Sequence, residues 1–434
     1  MPFPHTRRLF LQRGLTMLSA TATIPLFLDN TVMALARPDD VLRTQQDSGK
    51  DGKILVVVQL SGGNDGLNTV IPHGDDAYYR ERPGIGIARD KVLKVNDYIG
   101  LNPNLAPLKA LFDEGSMSVI QGVGYPNPNR SHFRSMDIWH TGDPMDERNL
   151  TGWLGRYFDA CCSGEDAKVG VAMGEVAPLA MKGEKLSGLS LERPDAYRYR
   201  GSAGAKYLDL NQPTTKPSAA AAPSVAAKSP KKTVSIATPD DQLNFLSRTA
   251  LDAQASSDQI LRAVNAHQPK AQYPRGEFGD GLRTVAAMIR GELPTRVYYV
   301  TLGGFDTHAN QQGRHDQLMA TLAQGVSAFW ADMKDQKNDQ RVLMMTFSEF
   351  GRRVSQNASQ GTDHGAAAPM FLLGRNVKEG VIGRHPSLTD LDAGDLKFGV
   401  DFRSVYASIL QDWLNAPSKP ILGKQFPTFE VVRG

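Results

Sequence analysis

The stretch Ile54-Leu55-Val56-Val57-Val58-Gln59-Leu60 carries a single polar residue and is rich in β-branched side chains. A strand with one wet face alternates apolar and polar residues, so a nearly unbroken apolar run belongs to a strand covered on both faces. That demand narrows the fold to a mainly parallel sheet packed between helices. The same character recurs at residues 117–123, 296–302, 341–347 and 370–374. Between the third and fourth runs, Leu318, Leu322, Val326, Phe329 and Met333 repeat at spacings of three and four, which predicts an amphipathic helix over 315–334. Strand, helix and strand in alternation predict an α/β fold, a mainly parallel central sheet with helices on both faces.

The N-terminal region has a different logic. Thr6-Arg7-Arg8-Leu9-Phe10-Leu11 precedes an apolar stretch from Gly14 to Leu28, followed by Ala34-Leu35-Ala36. Basic, apolar, then small-x-small is the order of a secretory signal, and the paired arginines point to the twin-arginine (Tat) route. Residues 1–36 are therefore expected to be a signal peptide, with the Tat translocase as partner during export and a periplasmic or secreted mature chain. Thr16, Ser19, Thr21, Thr23 and Pro25 interrupt the apolar run, whereas a membrane span needs about 20 continuous apolar residues. No transmembrane segment is expected in the mature chain.

Residues 37–52 read as a polar tether, and 53–434 as one domain. Within it, residues 212–235 are rich in Pro, Ala, Ser, Thr and Lys, the composition of a flexible surface insertion. Such a loop costs little closure entropy, and the strands before it are too few to close a sheet alone, so an insertion is preferred to a domain boundary. The net charge of +3 is nearly balanced and no basic block argues for a nucleic-acid partner. The two cysteines, Cys161 and Cys162, are adjacent. They could join in a vicinal disulfide but cannot form a disulfide framework, and both read as structural.

In open α/β sheets ligands bind outside the carboxyl ends of the strands. The first run ends in Ser61-Gly62-Gly63-Asn64-Asp65-Gly66. Past the second comes Asn129-Arg130-Ser131-His132-Phe133-Arg134. The third is followed by Asp306-Thr307-His308 and then His315, and the fourth by Ser348-Glu349-Phe350-Gly351-Arg352-Arg353. Thr362-Asp363-His364-Gly365 precedes the fifth. Each residue alone has a plainer reading: Asp65 in a turn, Asp306 or Ser131 as a helix cap, Glu349 paired with a nearby arginine. Gathered at successive strand ends, Asp, Glu and His form a ligand set for zinc or manganese, and calcium takes the carboxylates. With a hydroxyl between them, such groups suit metal-polarised hydrolysis of an ester.

These blocks resemble a family of Tat-exported bacterial proteins, the domain-of-unknown-function family 1501. The segments LVVVQLSGGNDGLNTVIPHGD, GVGYPNPNRSHFRSMDIWHTG, TLGGFDTHANQ, TFSEFGRRVSQNASQGTDHGAAAPMFLLG and DFRSVYASILQDWL carry the resemblance, from residue 55 to 414. The family is placed with the alkaline phosphatases and sulfatases. That wider resemblance implies an alkaline-phosphatase-like fold, a metal-binding Asp at Asp65 and a nucleophile at Ser131. It also implies an oxyanion-clamping Arg134, similar to the sulfatase arginine, with Thr141-Gly142 at that helix's end, and further ligands at Asp306, His308 and His364. The chain departs from the superfamily in having Ser348-Glu349-Phe350 where Asp-His or Asp-Asn is usual. Asp306 and His308 are separated by one residue rather than three, which leaves His315 as the alternative ligand. It also lacks a cysteine near 131, so no formylglycine can form there.

The expectation is a metal-dependent hydrolase of phosphate or sulfate esters. One or two divalent ions (zinc, manganese or calcium) would be held among Asp65, Asp306, His308, His315, Glu349, Asp363 and His364, with Ser131 and Arg134 catalytic. The alternative is a non-catalytic envelope protein that keeps the fold and binds a polymer or partner. An oxidoreductase is disfavoured, because the turn after the first strand lacks the G-x-G-x-x-G of a dinucleotide site.

Overall fold

The computed structural model describes residues 52–146, 149–162, 169–192 and 258–433. The expected signal peptide, almost all of the tether and the 212–235 insertion lie outside the described residues.

Eleven strands suffice to describe the site. They are β1 (Ile54–Ser61), β2 (Met117–Gly124), β3 (Gly170–Met173), β4 (Leu189–Leu191), β5 (Val297–Gly303) and β6 (Val342–Phe347). There follow β7 (Ala368–Leu373), β8 (Gly380–Ile382), β9 (Leu391–Asp392), β10 (Asp395–Leu396) and β11 (Val400–Asp401). Among the described residues the central sheet has nine strands in the order β8-β2-β7-β6-β1-β5-β3-β4, with β11 also on β2, and β9-β10 forms a separate hairpin. β1 lies at its middle: Val56 pairs in parallel with Tyr298 on one side and Met344 on the other. Among the described strands of this sheet β7 alone runs antiparallel, to both β2 and β6. Its apolar run announced burial but not direction, because composition does not encode strand sense. β3, β4, β8 and β11 have two to four residues each and are too short to leave a periodicity in the sequence. The sheet draws strands from both sides of residues 193–257.

The continuous apolar runs serve two cores, one on each face. Ile54, Val56, Val58 and Leu60 enter one core and Leu55 and Val57 the other, the period of two expected of a strand. Helices α1 (Ala106–Asp113), α4 (Glu277–Arg290) and α5 (Gln311–Asp335) cover the first face. Helices α2 (His132–Thr141), α3 (Trp153–Cys161) and α6 (Phe402–Ser408) cover the second. α5 contains the helix expected at 315–334 and begins a turn earlier. Asn310 stands at its N-cap, so Asp306 does not cap it. On the second face Trp139 stacks on Phe402 and Trp153 on Tyr406, with ring centroids 4.4 and 4.2 Å apart.

Cys161 and Cys162 are unbridged. Cys161 ends α3 and Cys162 is its C-cap, with φ of −124°, its amide still donating to Phe158 O at 2.9 Å. Adjacent Cα atoms are about 3.8 Å apart, closer than a disulfide favours. Among the described residues no helix is long and apolar enough to cross a membrane.

Candidate metal centre

The turn after β1 is shaped by close approach. Gly62 and Gly63 have φ of +116° and +76°, and a Cβ on Gly62 would lie 2.5 Å from the Asp306 amide nitrogen. Only glycine lets the loop after β5 lie this close to the loop after β1. The carbonyls crowded there are collected by one guanidinium. Arg352 is 1 % exposed and donates to Gly63 O at 2.7 Å, Gly62 O at 2.5 Å, Phe305 O at 3.0 Å and Thr362 O at 2.9 Å. Its Nη2 also donates to Asp306 Oδ1 at 2.8 Å, which fixes that carboxylate at the carboxyl end of the sheet.

Three imidazoles converge on the same oxygen. Asp306 Oδ1 lies 2.9 Å from His308 Nε2, 3.2 Å from His364 Nε2 and 3.4 Å from His132 Nε2. His308 Nε2 and His364 Nε2 are 2.9 Å apart. Each ring turns its other nitrogen to an acceptor. His132 Nδ1 faces Glu349 Oε1 at 2.9 Å, His364 Nδ1 faces Arg130 O at 2.7 Å and His308 Nδ1 faces Asp363 Oδ1 at 3.5 Å. A proton on Nδ1, toward each of these acceptors, is the tautomer that turns the Nε2 lone pair inward, as outer partners do for metal-binding imidazoles; a proton on Nε2 instead bonds Asp306, and a bound cation would select the first. His132 Nε2 is buried with no hydrogen-bond partner. Phe350 packs against the rings of His132 and His364, with centroids 4.9 and 4.6 Å away.

The donor set fits a divalent metal. The ligand atoms of His132, Asp306 and His364 all lie within 4.8 Å of one another, and His308 adds a fourth donor beside two of them. Zinc bonds of about 2.0–2.1 Å at tetrahedral angles put ligand atoms about 3.3 Å apart, close to the separations seen here. Burial raises the Asp306 pKa, but hydrogen bonds from Arg352 and His364 and the charges of Arg352 and His308 outweigh it and bring it down to about 2. Burial lowers the pKa of His364, against opposing hydrogen bonds to Arg130 O and Asp306. A carboxylate kept ionised beside an imidazole kept neutral is the protonation state a cation needs.

The residues singled out from the sequence fall into separate places. Asp306, His308 and His364 come together. Glu349 and Asp363 lie one layer out, each facing an imidazole nitrogen; Glu349 Oε1 also accepts from Gly62 N at 2.8 Å. Asp65 belongs to a different network, fully buried, with Oδ2 2.6 Å from Arg82 Nη1 and accepting from Gln311 Nε2. Burial raises its pKa, but the charge and hydrogen bond of Arg82 lower it further. His315 is in that network too, with Nε2 3.2 Å from Asn64 Oδ1, and its burial lowers its pKa.

Ser131 is exposed at the N-cap of α2, its side chain making no cap hydrogen bond. It immediately precedes His132. Arg134 donates from Nη2 to Pro144 O at 2.8 Å, so that nitrogen is engaged with backbone. The sequence reading did not single out His132, which stands in the cluster, nor Arg352 and Arg82. The signal for His132 was present: a histidine at the carboxyl end of a buried strand, the same placement that marked the others.

A family model described as "Protein of unknown function (DUF1501)" matches residues 117–415. No curated protein matches the chain. Among solved structures, it is similar to a protein in the alkaline phosphatase superfamily from Vibrio parahaemolyticus, at 9 % identity and a TM-score of 0.37, covering 92 % of this chain and 77 % of that one. It is also similar to the C-terminal periplasmic domain of EcEptC from Escherichia coli in complex with zinc, at 11 % identity and a TM-score of 0.34, covering 76 % and 74 %. A third is the PsFucS1 sulfatase from Pseudoalteromonas sp., at 10 % identity and a TM-score of 0.34, covering 88 % and 74 %.

Proposed function

Since the chain belongs to the DUF1501 family, whose model spans residues 117–415, a group defined without an activity, we propose a function from its own strand-end chemistry: an exported, metal-dependent hydrolase of phosphate or sulfate esters. The observation that carries the reading is the convergence of three imidazole Nε2 atoms on Asp306 Oδ1, each ring oriented from behind by an acceptor. His132, His308, His364 and Asp306 would hold one divalent ion. A bound divalent ion polarises an ester oxygen and lowers the pKa of a nearby hydroxyl.

The protein's own groups supply the rest. Ser131 stands at the first turn of α2, where unpaired amides and the helix dipole favour an anionic group. Its hydroxyl would attack phosphorus or sulfur, giving up its proton, while the alcohol leaves with a proton. Water then cleaves the seryl ester and restores Ser131. Glu349 keeps the His132 proton on Nδ1 and so keeps Nε2 available. Phe350 closes the floor against water. Arg82 places a permanent cation on Asp65, which argues for one ion rather than two. By its N-terminal sequence the protein is sent through the Tat route to the periplasm or beyond.

A second reading, a binding protein that retains the fold without catalysis, draws on Arg134. Its bond to Pro144 O turns one guanidinium nitrogen away from an oxyanion role. Metal analysis of the purified mature chain separates the two. One equivalent of zinc, manganese or calcium, lost in folded His364→Ala and His132→Ala variants, supports the hydrolase and opens an ester screen. A folded wild type that takes up none of the three ions overturns it.

A further inference from the structure

A cavity of about 510 Å³ is lined by residues that flank the histidine cluster along the chain, and no step proposed above uses it. One wall is the loop between β2 and α2, with Asn127, Pro128 and Arg130. The other is the β9-β10 hairpin and the residues after it, with Asp395, Lys397 and Phe398. It adjoins the centre through the chain itself. The Arg130 carbonyl accepts from His364 Nδ1 at 2.7 Å, and Arg130, Ser131 and His132 are consecutive: a cavity wall, the exposed hydroxyl and a cluster imidazole. Ala366, two residues beyond His364, also lines it.

The lining is charge-neutral. Arg130 and Lys397 are matched by Asp392 and Asp395, and the cations are already committed. Arg130 holds Asp395 Oδ2 through Nε at 2.8 Å and Nη2 at 2.5 Å, and Lys397 pairs with Asp390. The lining therefore carries no excess positive charge to draw a second anionic group of a ligand. What the walls do offer is an aromatic ring and polar groups. Phe398 is 37 % exposed, and a Cβ on Gly124 would lie 2.9 Å from the Phe398 Cβ, so a glycine in β2 lets this residue sit against the strand. Asp395 is 1 % exposed; its Oδ1 makes no hydrogen bond, and Arg353 Nε lies 3.7 Å from it. Asn127 adds an exposed amide. Asn127 and Ala393, on opposite walls, both adopt left-handed backbone with φ of 55° and 51°, a local cost that persists where the surroundings fix a loop shape.

We propose that this cavity is the subsite for the uncharged, hydroxyl-rich part of the substrate, a sugar or polyol ring whose phosphate or sulfate ester lies at the histidine cluster. An aromatic face packs on the C–H side of such a ring while hydroxyls bond amide and carboxylate groups, the usual mix of apolar wall and few polar anchors in a ligand site. The inference rests on the hydrolase reading for the ester, while the ring site itself can be tested without turnover.

The probes are the methyl α-glycosides of glucose, galactose and mannose, titrated into the full mature chain by ligand-observed NMR. At least one should bind the wild type. Binding should weaken tenfold or more in Phe398→Ala and in Gly124→Ala, the second of which displaces the ring without deleting it. His308→Ala, which removes a cluster nitrogen and touches neither wall, should bind as the wild type does. Binding of none of the three glycosides, or equal binding by wild type and Phe398→Ala, overturns the subsite. Phe398-dependent glycoside binding by a protein that takes up no metal keeps the subsite and removes the hydrolase. Metal uptake and ester cleavage, with Phe398→Ala changing sugar-ester and aryl-ester kcat/KM equally, keeps the hydrolase and removes the subsite.

Discussion

Asp65 and Arg82 form an ion pair with no solvent exposure on either side chain, Oδ2 to Nη1 2.6 Å. Arg82 is held further by Val354 O, Arg353 O and Asn68 Oδ1 at 2.8, 2.8 and 2.9 Å. The pair ties the turn after β1 to the segment after β6. Removing one partner leaves an uncompensated buried charge, which costs about 3–5 kcal/mol. Arg82→Met should lose stability on that scale in chemical denaturation, and Arg82→Met combined with Asp65→Asn should recover part of it. A loss within 1 kcal/mol would show that the pair is not what holds the turn.

Glu349 touches the proposed ion only through His132. An outer carboxylate of this kind affects metal affinity by about 10–100-fold. Glu349→Gln should therefore weaken metal binding on that scale in calorimetric titration, short of the complete loss expected for His132→Ala. Unchanged affinity would remove Glu349 from the positioning of His132.

Ser131 contacts none of the buried networks, so its removal should leave folding and metal content intact. Ser131→Ala should lower hydrolysis of any ester the wild type cleaves by several orders of magnitude, up to the roughly 10⁶-fold loss seen when a serine nucleophile is deleted. Retained turnover would pass the attack to water and leave Ser131 as a helix cap.

His140 lies outside the cluster, between Gln59 and Tyr299, and burial pushes its pKa down to about 4. The unfolded chain takes up this proton near pH 6.5, while the folded protein resists it. The associated stability is present above pH 6.5 and is lost as pH falls from there through about 4, in all about 3 kcal/mol. Denaturation of wild type and His140→Gln at pH 7 and 4.5 should show a drop smaller by about 2–3 kcal/mol in the variant. Parallel pH profiles would mean that other groups carry the acid sensitivity.

The sequence by itself determined the layered α/β fold, because an apolar run such as 54–60 leaves both strand faces needing cover. It also determined that ligand-type side chains gather where strands end, since that placement follows from chain order. It could not decide which of them meet. Asp65 and Asp306 both follow buried strands, yet one is neutralised by Arg82, seventeen residues on, and the other faces three imidazoles, one from its own loop, one from the start of α2 and one from the loop before β7. His132 was visible in the sequence but not its place in the cluster, because a histidine offers one nitrogen inward only when its second nitrogen is turned outward. Here that takes Glu349, 217 residues away. Strand direction at β7, the partners of the buried arginines and the orientation of each ring are long-range outcomes of packing and charge pairing. Local composition sets what each segment can bury, and only the assembled sheet sets what each polar group must face.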